Sequence, residues 1–444
     1  MCFNFDAMKN KDIKDVVTEK KEKNKTQGAG WLKRHHAVVV SAVGIAALIC
    51  AWLIPSPLSE SISPIKQFVN RETDRHVEVD TVDMELPDGS VYSGNLIKGT
   101  MTRQGYGRLK AKDGSFYEGE WDNDQLAYGT HTTPAYVYEG NFNAALENDG
   151  FGIVNYSQSP FYGTGLAFKE KGVGVRQYIG NWKDGEKDGL GRTVFSDGSM
   201  EFGQYEKGVY QPVPGQEFEA GERVYGMDVS HHQGDIDWSN LALYCDSKGI
   251  AYKGKIRKSK YVQPVFFAYV KATEGATYID PTYAVRIMEA EHHGMTKGAY
   301  HFMRLGSDVN EQVKNFISTV TWNRGDMPPA LDIEDEKEIM AFGTDHLLKW
   351  VYTWLEGIEK HMRVRPIIYT TENIRDKYLK LDPRFNKYQC WIARYREAGP
   401  SSNVWRIWQF TETGKVKGYN GSIDGNIFKG GYGAFQQYLS NLPL

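Results

Sequence analysis

Within Leu331-Asp332-Ile333-Glu334 two carboxylates stand two residues apart in a stretch that reads as a strand. Both side chains therefore leave one face, while Leu331 and Ile333 take the other. Two carboxyls sharing one site repel when ionised, so one keeps its proton and can act as a general acid while the other stays charged. Glycosidic cleavage uses that division of labour. An isolated Asp-x-Glu after a strand is most often a pair of solvated acids, so the meaning of this pair depends on what else reaches the same place.

The elements that must position it lie between residues 222 and 444, where short apolar runs alternate with amphipathic stretches, the pattern of an α/β domain. Strands are predicted at 224–229, 264–271, 298–302, 329–334, 366–369, 389–393, 404–409 and 423–427. Helices are predicted at 281–293, 310–320 and 345–362, the last with Leu347, Leu348, Val351, Trp354, Leu355 and Ile358 on one apolar face. Eight strands fit a barrel, and beyond the fifth the spacing shortens and the helical pattern fades. The expectation is an incomplete TIM-type β/α barrel. Nearly every strand stays apolar until its end and then finishes in Asp228, Lys271, Tyr300 with His301, Asp332 with Glu334, Tyr369, Trp391 with Arg394, Gln409, or Asp424 with Asn426. Barrel enzymes place their chemistry at that rim.

From 224 to 430 the text resembles glycoside hydrolase family 25, the lysozymes of the muramidase type. The matching stretches are Tyr-Gly-Met-Asp-Val-Ser-His-His-Gln-Gly around Asp228, Phe-Ala-Tyr-Val-Lys-Ala-Thr-Glu-Gly around Lys271, Gly-Ala-Tyr-His-Phe around Tyr300 and Ala-Leu-Asp-Ile-Glu. They continue with Pro-Ile-Ile-Tyr-Thr around Tyr369, Trp-Ile-Ala-Arg-Tyr from Trp391 to Tyr395, Ile-Trp-Gln-Phe around Gln409 and Ile-Asp-Gly-Asn around Asp424. The resemblance implies a β-1,4-N-acetylmuramidase acting between N-acetylmuramic acid and N-acetylglucosamine. Glu334 would protonate the leaving oxygen, and Asp332 would orient the 2-acetamido group of the sugar, whose carbonyl attacks the anomeric carbon; direct attack or water activation by Asp332 is the alternative. Asp228 and Asp424, ending the first and last strands, would flank the pair.

Tyr300, Tyr369, Trp391 and Tyr395 offer flat faces and polar tips to a pyranose, Tyr300 and Trp391 foremost, although each equally fits barrel core. Gln409 is a further substrate-binding candidate. Lys271 and Glu274 read as an orienting ion pair. His231, His232 and His301 lack metal-ligand spacing, and glycosidic cleavage needs no metal, so neither metal nor cofactor is expected. Two features depart from the family pattern. Residues 241–263 are longer than usual and carry Lys253, Lys255, Arg257, Lys258 and Lys260, which fits an anionic wall polymer or simply a solvated loop. A glycine stands in Ile-Asp-Gly-Asn where the family more often has a bulkier residue.

Upstream, Ala37 to Ile54 is an uncharged apolar run preceded by Lys33 and Arg34, near the lower limit of a membrane-spanning helix, with the basic side expected to stay cytoplasmic. From Tyr92 a degenerate repeat follows: Tyr92-Ser-Gly, Tyr117-Glu-Gly, Tyr138-Glu-Gly and Tyr178-Ile-Gly, with weaker copies at Phe161-Tyr-Gly and Glu201-Phe-Gly, and Gly-x-Gly pairs between them. It resembles MORN repeats, read as an all-β array of stacked hairpins with Asp113-Gly114 and Asp197-Gly198 as tight turns. The expected order is a cytoplasmic tail (1–36), anchor (37–54), linker (55–88), array (89–210) and catalytic barrel (222–444), the barrel periplasmic or extracellular.

Expected partners are peptidoglycan glycan strands, the membrane through the single N-terminal helix, and a protein docked on the repeats. A net charge of −3 gives nucleic acid no support. For Cys245 and Cys390, a bridge and two separately buried thiols both fit. The competing function is a non-catalytic wall-binding or scaffolding protein.

Overall fold

The computed structural model describes residues 79–156, 174–254, 258–401 and 403–442. The expected tail and anchor, most of the linker, the repeat copy at Phe161, and Lys255 and Arg257 of the basic loop lie outside the described residues. Among the described residues no helix is long and apolar enough to cross a membrane.

Residues Val79–Gln211 form one antiparallel meander of eleven strands paired in chain order. It begins inside the expected linker: Val79–Glu85 pairs with Val91–Ile97. Asp80, Asp83 and Glu85 mask the strand in the sequence, but Val82 and Met84 recur with period two and pack against the core of the array. The turns are built as expected. Gly114 has φ +86°, and the Asp113 carboxylate accepts from the Ser115 N–H (2.9 Å) and hydroxyl (2.7 Å); Asp197-Gly198-Ser199 and Asp88-Gly89-Ser90 repeat the device.

What stacks the strands is a row of glycines directly opposite one another, running from Gly94 through Gly107, Gly119, Gly129, Gly140, Gly152, Gly180 and Gly191 to Gly203. Tyrosine rings lie flat over this row. A Cβ on Gly107 would fall 2.1 Å from the Tyr92 Oη, on Gly152 2.4 Å from the Tyr138 ring, and on Gly191 2.3 Å from the Tyr178 Oη. Each of these hydroxyls donates to the backbone carbonyl three residues on, at Asn95, Asn141 and Asn181, so a large aromatic is buried with its polar tip satisfied.

The barrel follows. Its strands are β1 (Val224–Val229), β2 (Val262–Glu274), β3 (Thr296–Phe302), β4 (Ala330–Ile333), β5 (Ile367–Thr371), β6 (Cys390–Ala393), β7 (Trp405–Gly414) and β8 (Ile423–Phe428). Helices α1 (Tyr283–His292), α2 (Val309–Thr319) and α3 (Thr344–Met362) follow β2, β3 and β4, and α3 buries Leu347, Val351, Trp354, Leu355 and Ile358. Between β5 and β8 the helices shrink to Glu372–Lys377 and short 3-10 turns, and a last helix, Tyr432–Ser440, follows β8.

The ring is closed, β1 pairing with both β2 and β8, but the TIM-type expectation is corrected. That fold has eight parallel strands, whereas β8 runs antiparallel to both β7 and β1. Residues 415–422 are too few for the dozen or more that a parallel crossover needs, so the chain turns straight back. Asp424 consequently begins the last strand rather than ending it, and the reversal is what brings it to the rim. Cys245 and Cys390 are separate, buried free thiols.

The array and barrel touch directly. Phe151 packs on His293 (4.3 Å between rings) and Tyr128 on His292 (4.8 Å), Arg192 donates to the Gly294 carbonyl, and Asn181 donates to the Ser239 carbonyl at 2.8 Å. Burial holds His293 down to about 3 and His292 to about 4, so both rings enter this contact uncharged.

Candidate active site

All nine residues singled out by the sequence line one cavity of about 340 Å³: Asp228, Tyr300, Asp332, Glu334, Tyr369, Trp391, Tyr395, Gln409 and Asp424. The alternation of β4 does the central work. Leu331 and Ile333 pack in the core outside the ring, while Asp332 and Glu334 enter the cavity. The two differ in setting. Asp332 is 5 % exposed at the floor, its Oδ1 closed off without a hydrogen-bond partner. Glu334 opens to solvent on its outward side.

A polar network crosses the rim. The Gln409 amide donates to both oxygens of Asp228 (3.0 and 3.2 Å), and Asn426 donates to Asp228 Oδ1 at 2.6 Å. The hydroxyls of Tyr369 (3.0 Å) and Tyr395 (2.8 Å) both donate to Gln409 Oε1, which fixes which way that amide points. Tyr369 also lies 3.4 Å from Glu334 Oε2. The Trp391 indole N–H is spent on Asn426 Oδ1 (2.7 Å), and the ring stacks on Tyr269 at 4.6 Å, leaving Trp391 1 % exposed. The expectation that Trp391 is a foremost flat platform is corrected: with one face taken by Tyr269, it is a wall of the cavity. Tyr395, 46 % exposed, is the open aromatic, and Tyr300 meets Trp391 edge-on.

Crowding the acids raises them all. Burial pushes Asp332 well above the usual carboxylate range, with the Glu334 charge adding to it and Lys271 opposing. Glu334 is raised by burial, offset by the Tyr369 hydrogen bond and Lys271, and raised further by Asp335 and Glu412. Asp228 and Asp424 face each other on paired strands and titrate together, raised to about 7 and about 8. Burial is the main cause for each; the Asn426 and Gln409 donors counter it at Asp228, and the Asp228 and Glu412 charges add to it at Asp424. Lys271 is paired with Glu274 at 2.6 Å, as the sequence suggested, and Glu274 is held in turn by Arg304 at 2.7 Å.

Of the histidines weighed as ligands, His301 is buried between Thr273 and Gln312, His231 pairs with Asp280, and His232 lines the cavity. Among the described residues no cluster of metal-ligating side chains occurs. Sequence reasoning left Asn426 without a role, although it is the residue after next from Asp424. It missed Glu412 because the seventh strand was expected to end at Gln409.

A sequence model described as glycosyl hydrolases family 25 matches residues 227–419, and one for the MORN repeat matches 117–131 and 178–200. The chain is 32% identical over 225 residues to the uncharacterized protein YegX of Escherichia coli K12, covering 50% of this chain and 76% of that protein. It is 30% identical over 221 residues to lysozyme M1 of Streptomyces globisporus, covering 47% and 68%. Among solved structures it is similar to the bacterial lysozyme from Streptomyces coelicolor, with 28% identity, a TM-score of 0.42, and coverage of 49% of this chain and 97% of that one.

Proposed function

Because the chain belongs to glycosyl hydrolase family 25 and is a glycosidase of the lysozyme type, we propose that it hydrolyses the β-1,4 bonds of peptidoglycan between N-acetylmuramic acid and N-acetylglucosamine, with Glu334 as general acid. The observation that carries this reading is the placement of Asp332 and Glu334 by one strand in one cavity, with only Glu334 opening to solvent. A group that must give up a proton and regain it from water has to reach water, which suits Glu334 and not the enclosed Asp332.

The Tyr369 hydroxyl, anchored on Gln409 Oε1, lies against Glu334 Oε2 and fixes that side of the carboxyl, so the acid's proton belongs on the other oxygen, toward the glycosidic bond. Proton transfer from Glu334 to that oxygen accompanies cleavage of the C1–O bond, and the carbonyl oxygen of the 2-acetamido group closes onto C1. Water then attacks C1 as the bond from C1 to the acetamido oxygen breaks, which regenerates the acetamide, and gives its proton to the Glu334 carboxylate, which restores the acid. Asp332, which lines the floor of the cavity, suits holding the acetamido group in place. Asp228 and Asp424, raised as they are, suit binding sugar hydroxyls, and Tyr300, Tyr369, Tyr395, Gln409 and the Trp391 wall shape the sugar site.

The apolar run at 37–54 with its basic flank supports a single-pass anchor, N-terminus in the cytoplasm and barrel on the periplasmic or outer side. One face of the array is committed to α1 and the loop around Ser239, so a protein partner would dock on the remaining strands.

The test is to incubate the purified full chain, in detergent, with isolated sacculi and to identify the new reducing ends. Muramic-acid ends support the muramidase. Sedimentation with sacculi without new ends supports the wall-binding scaffold, and hydrolysis of chitooligosaccharides instead of sacculi supports a chitinase.

A further inference from the structure

Strand β7 does not run straight past the cavity. Against β8 its register is Gln409 to Asn426, Thr411 to Gly425 and Gly414 to Ile423, so two steps along β7 match one along β8, and then three match two. Two bulges therefore follow each other within six residues, and bulges at barrel rims re-aim side chains. Strict alternation from Gln409 would send Thr411 into the cavity and Glu412 away from it; instead Thr411 is buried and Glu412 lines the cavity mouth, exposed to solvent.

The partner strand accommodates this distortion. A Cβ on Gly425 would fall 2.9 Å from both the Phe410 ring and the Thr411 methyl, so glycine at this place in Ile-Asp-Gly-Asn lets the bulged strand close up. The titratable groups that share the cavity with Glu412 are Asp228 on β1, His232 after it, Lys271 on β2, Tyr300 on β3, Asp332 on β4, Glu334 directly after it, Tyr369 on β5, Tyr395 after β6 and Asp424 on β8. Lys271 is the one lysine or arginine among them, and Glu274 already holds it. Among the described residues no ion pair engages Glu412.

We propose that Glu412 is a positioning residue acting by charge: an uncompensated carboxylate, delivered to the cavity mouth by the double bulge, that keeps the proton on Glu334 to higher pH than the rest of the cavity would. The inference rests on the reading of Glu334 as the acid. A like charge in the same cavity disfavours ionisation, and the Glu412 charge raises Glu334, Asp424 and Tyr395 alike. Because Glu412 is exposed, salt screens its effect.

The experiment compares pH profiles of kcat/KM on sacculus-derived glycan for the full chain, Glu412→Gln and Glu412→Asp, at low and high salt. Thermal melting confirms that each is folded. In Glu412→Gln the alkaline limb should move toward acid by about half a unit, so that the ratio of the rate at pH 8 to that at pH 5 falls about threefold. Glu412→Asp keeps the charge and should keep the limb. Salt should move the unsubstituted limb toward that of Glu412→Gln and leave the latter in place. Coincident limbs for the unsubstituted protein and Glu412→Gln, or an Asp variant that behaves like Gln, would overturn the role of Glu412 alone. A folded, unsubstituted protein that releases no reducing ends would overturn the muramidase reading and this inference together.

Discussion

Tyrosine hydroxyls do different work in the two halves of the molecule. In the array, Tyr92, Tyr138 and Tyr178 each donate to a carbonyl three residues further along their own chain. At the barrel rim, Tyr369 and Tyr395 donate to Gln409, which holds Asp228 181 residues away in sequence, and Asn426 reaches the same carboxylate across 198. The array satisfies its polar groups locally, so a unit can be repeated, and stability accrues strand by strand. The rim satisfies its groups only when the ring closes, and it retains four raised carboxyls that no neighbouring cation neutralises fully. Such a cluster costs stability and is retained where chemistry uses it.

The largest effect that sharpens this contrast belongs to the rim. Glu334→Gln should lower release of reducing ends from sacculi by about 10²- to 10⁴-fold, the usual worth of a general acid. The melting temperature should not fall, because a neutral amide replaces a crowded acid. Turnover within tenfold of the unsubstituted protein would remove Glu334 from the chemistry. The array should show the reverse. Gly107→Ala puts a methyl where the Tyr92 hydroxyl lies, so the ring must leave its seat over the glycine row. The expected cost is about 1–3 kcal/mol in denaturant titration, with kcat/KM per folded molecule retained. A loss below about 0.5 kcal/mol would mean that the close approach of ring and glycine does not hold the array together.

The same division sets what the sequence disclosed. All eight barrel strands and three helices were legible because apolar runs and a 3.6-residue period are local signals. The candidate acids were legible because they punctuate strand ends, and the geometry gathers them in one cavity. Three things were not. The sense of β8 depends on how few residues precede it, which a hydropathy pattern does not display. The first array strand hides its period-two apolar face behind Asp80, Asp83 and Glu85. Glu412 reaches the cavity through two bulges, which alter the phase of the strand without altering its composition. Trp391 was misjudged for a related reason: an aromatic at a strand end reads alike whether its face is open or, as here, covered by Tyr269.

A smaller effect tests the local wiring of the array. Tyr178→Phe removes the donor to the Asn181 carbonyl while keeping the ring over Gly180 and Gly191. The expected loss is about 1 kcal/mol, that of one buried hydrogen bond. Asn181 also donates from its side chain to the Ser239 carbonyl of the barrel. Hydrogen exchange should therefore rise in the flanking array strands and around Ser239. Unchanged exchange and unchanged stability would show that water satisfies the Asn181 carbonyl equally well.

The smallest effect is the most discriminating, because its sign depends on pH. Asp424 is raised from about 4 unfolded to about 8 folded, so between those values the native state holds a proton that the unfolded chain has released. Stability from this group is fully present below about pH 4 and is lost as pH rises toward 8. Asp424→Asn removes that loss, and its advantage over the unsubstituted protein should be near zero at pH 4 and grow to roughly 1–3 °C in melting temperature by pH 8, discounted for partial exposure. The unsubstituted curve alone does not test this. His292, His293 and His301 are held neutral by burial and pull the other way, adding stability as pH rises through the unfolded histidine value of about 6.5. Only the difference between variant and parent separates the Asp228–Asp424 pair from the histidines. A difference that stays flat from pH 4 to 8 would mean that Asp424 is ionised in the folded protein throughout, and that the crowding of charge at the rim is relieved by solvent.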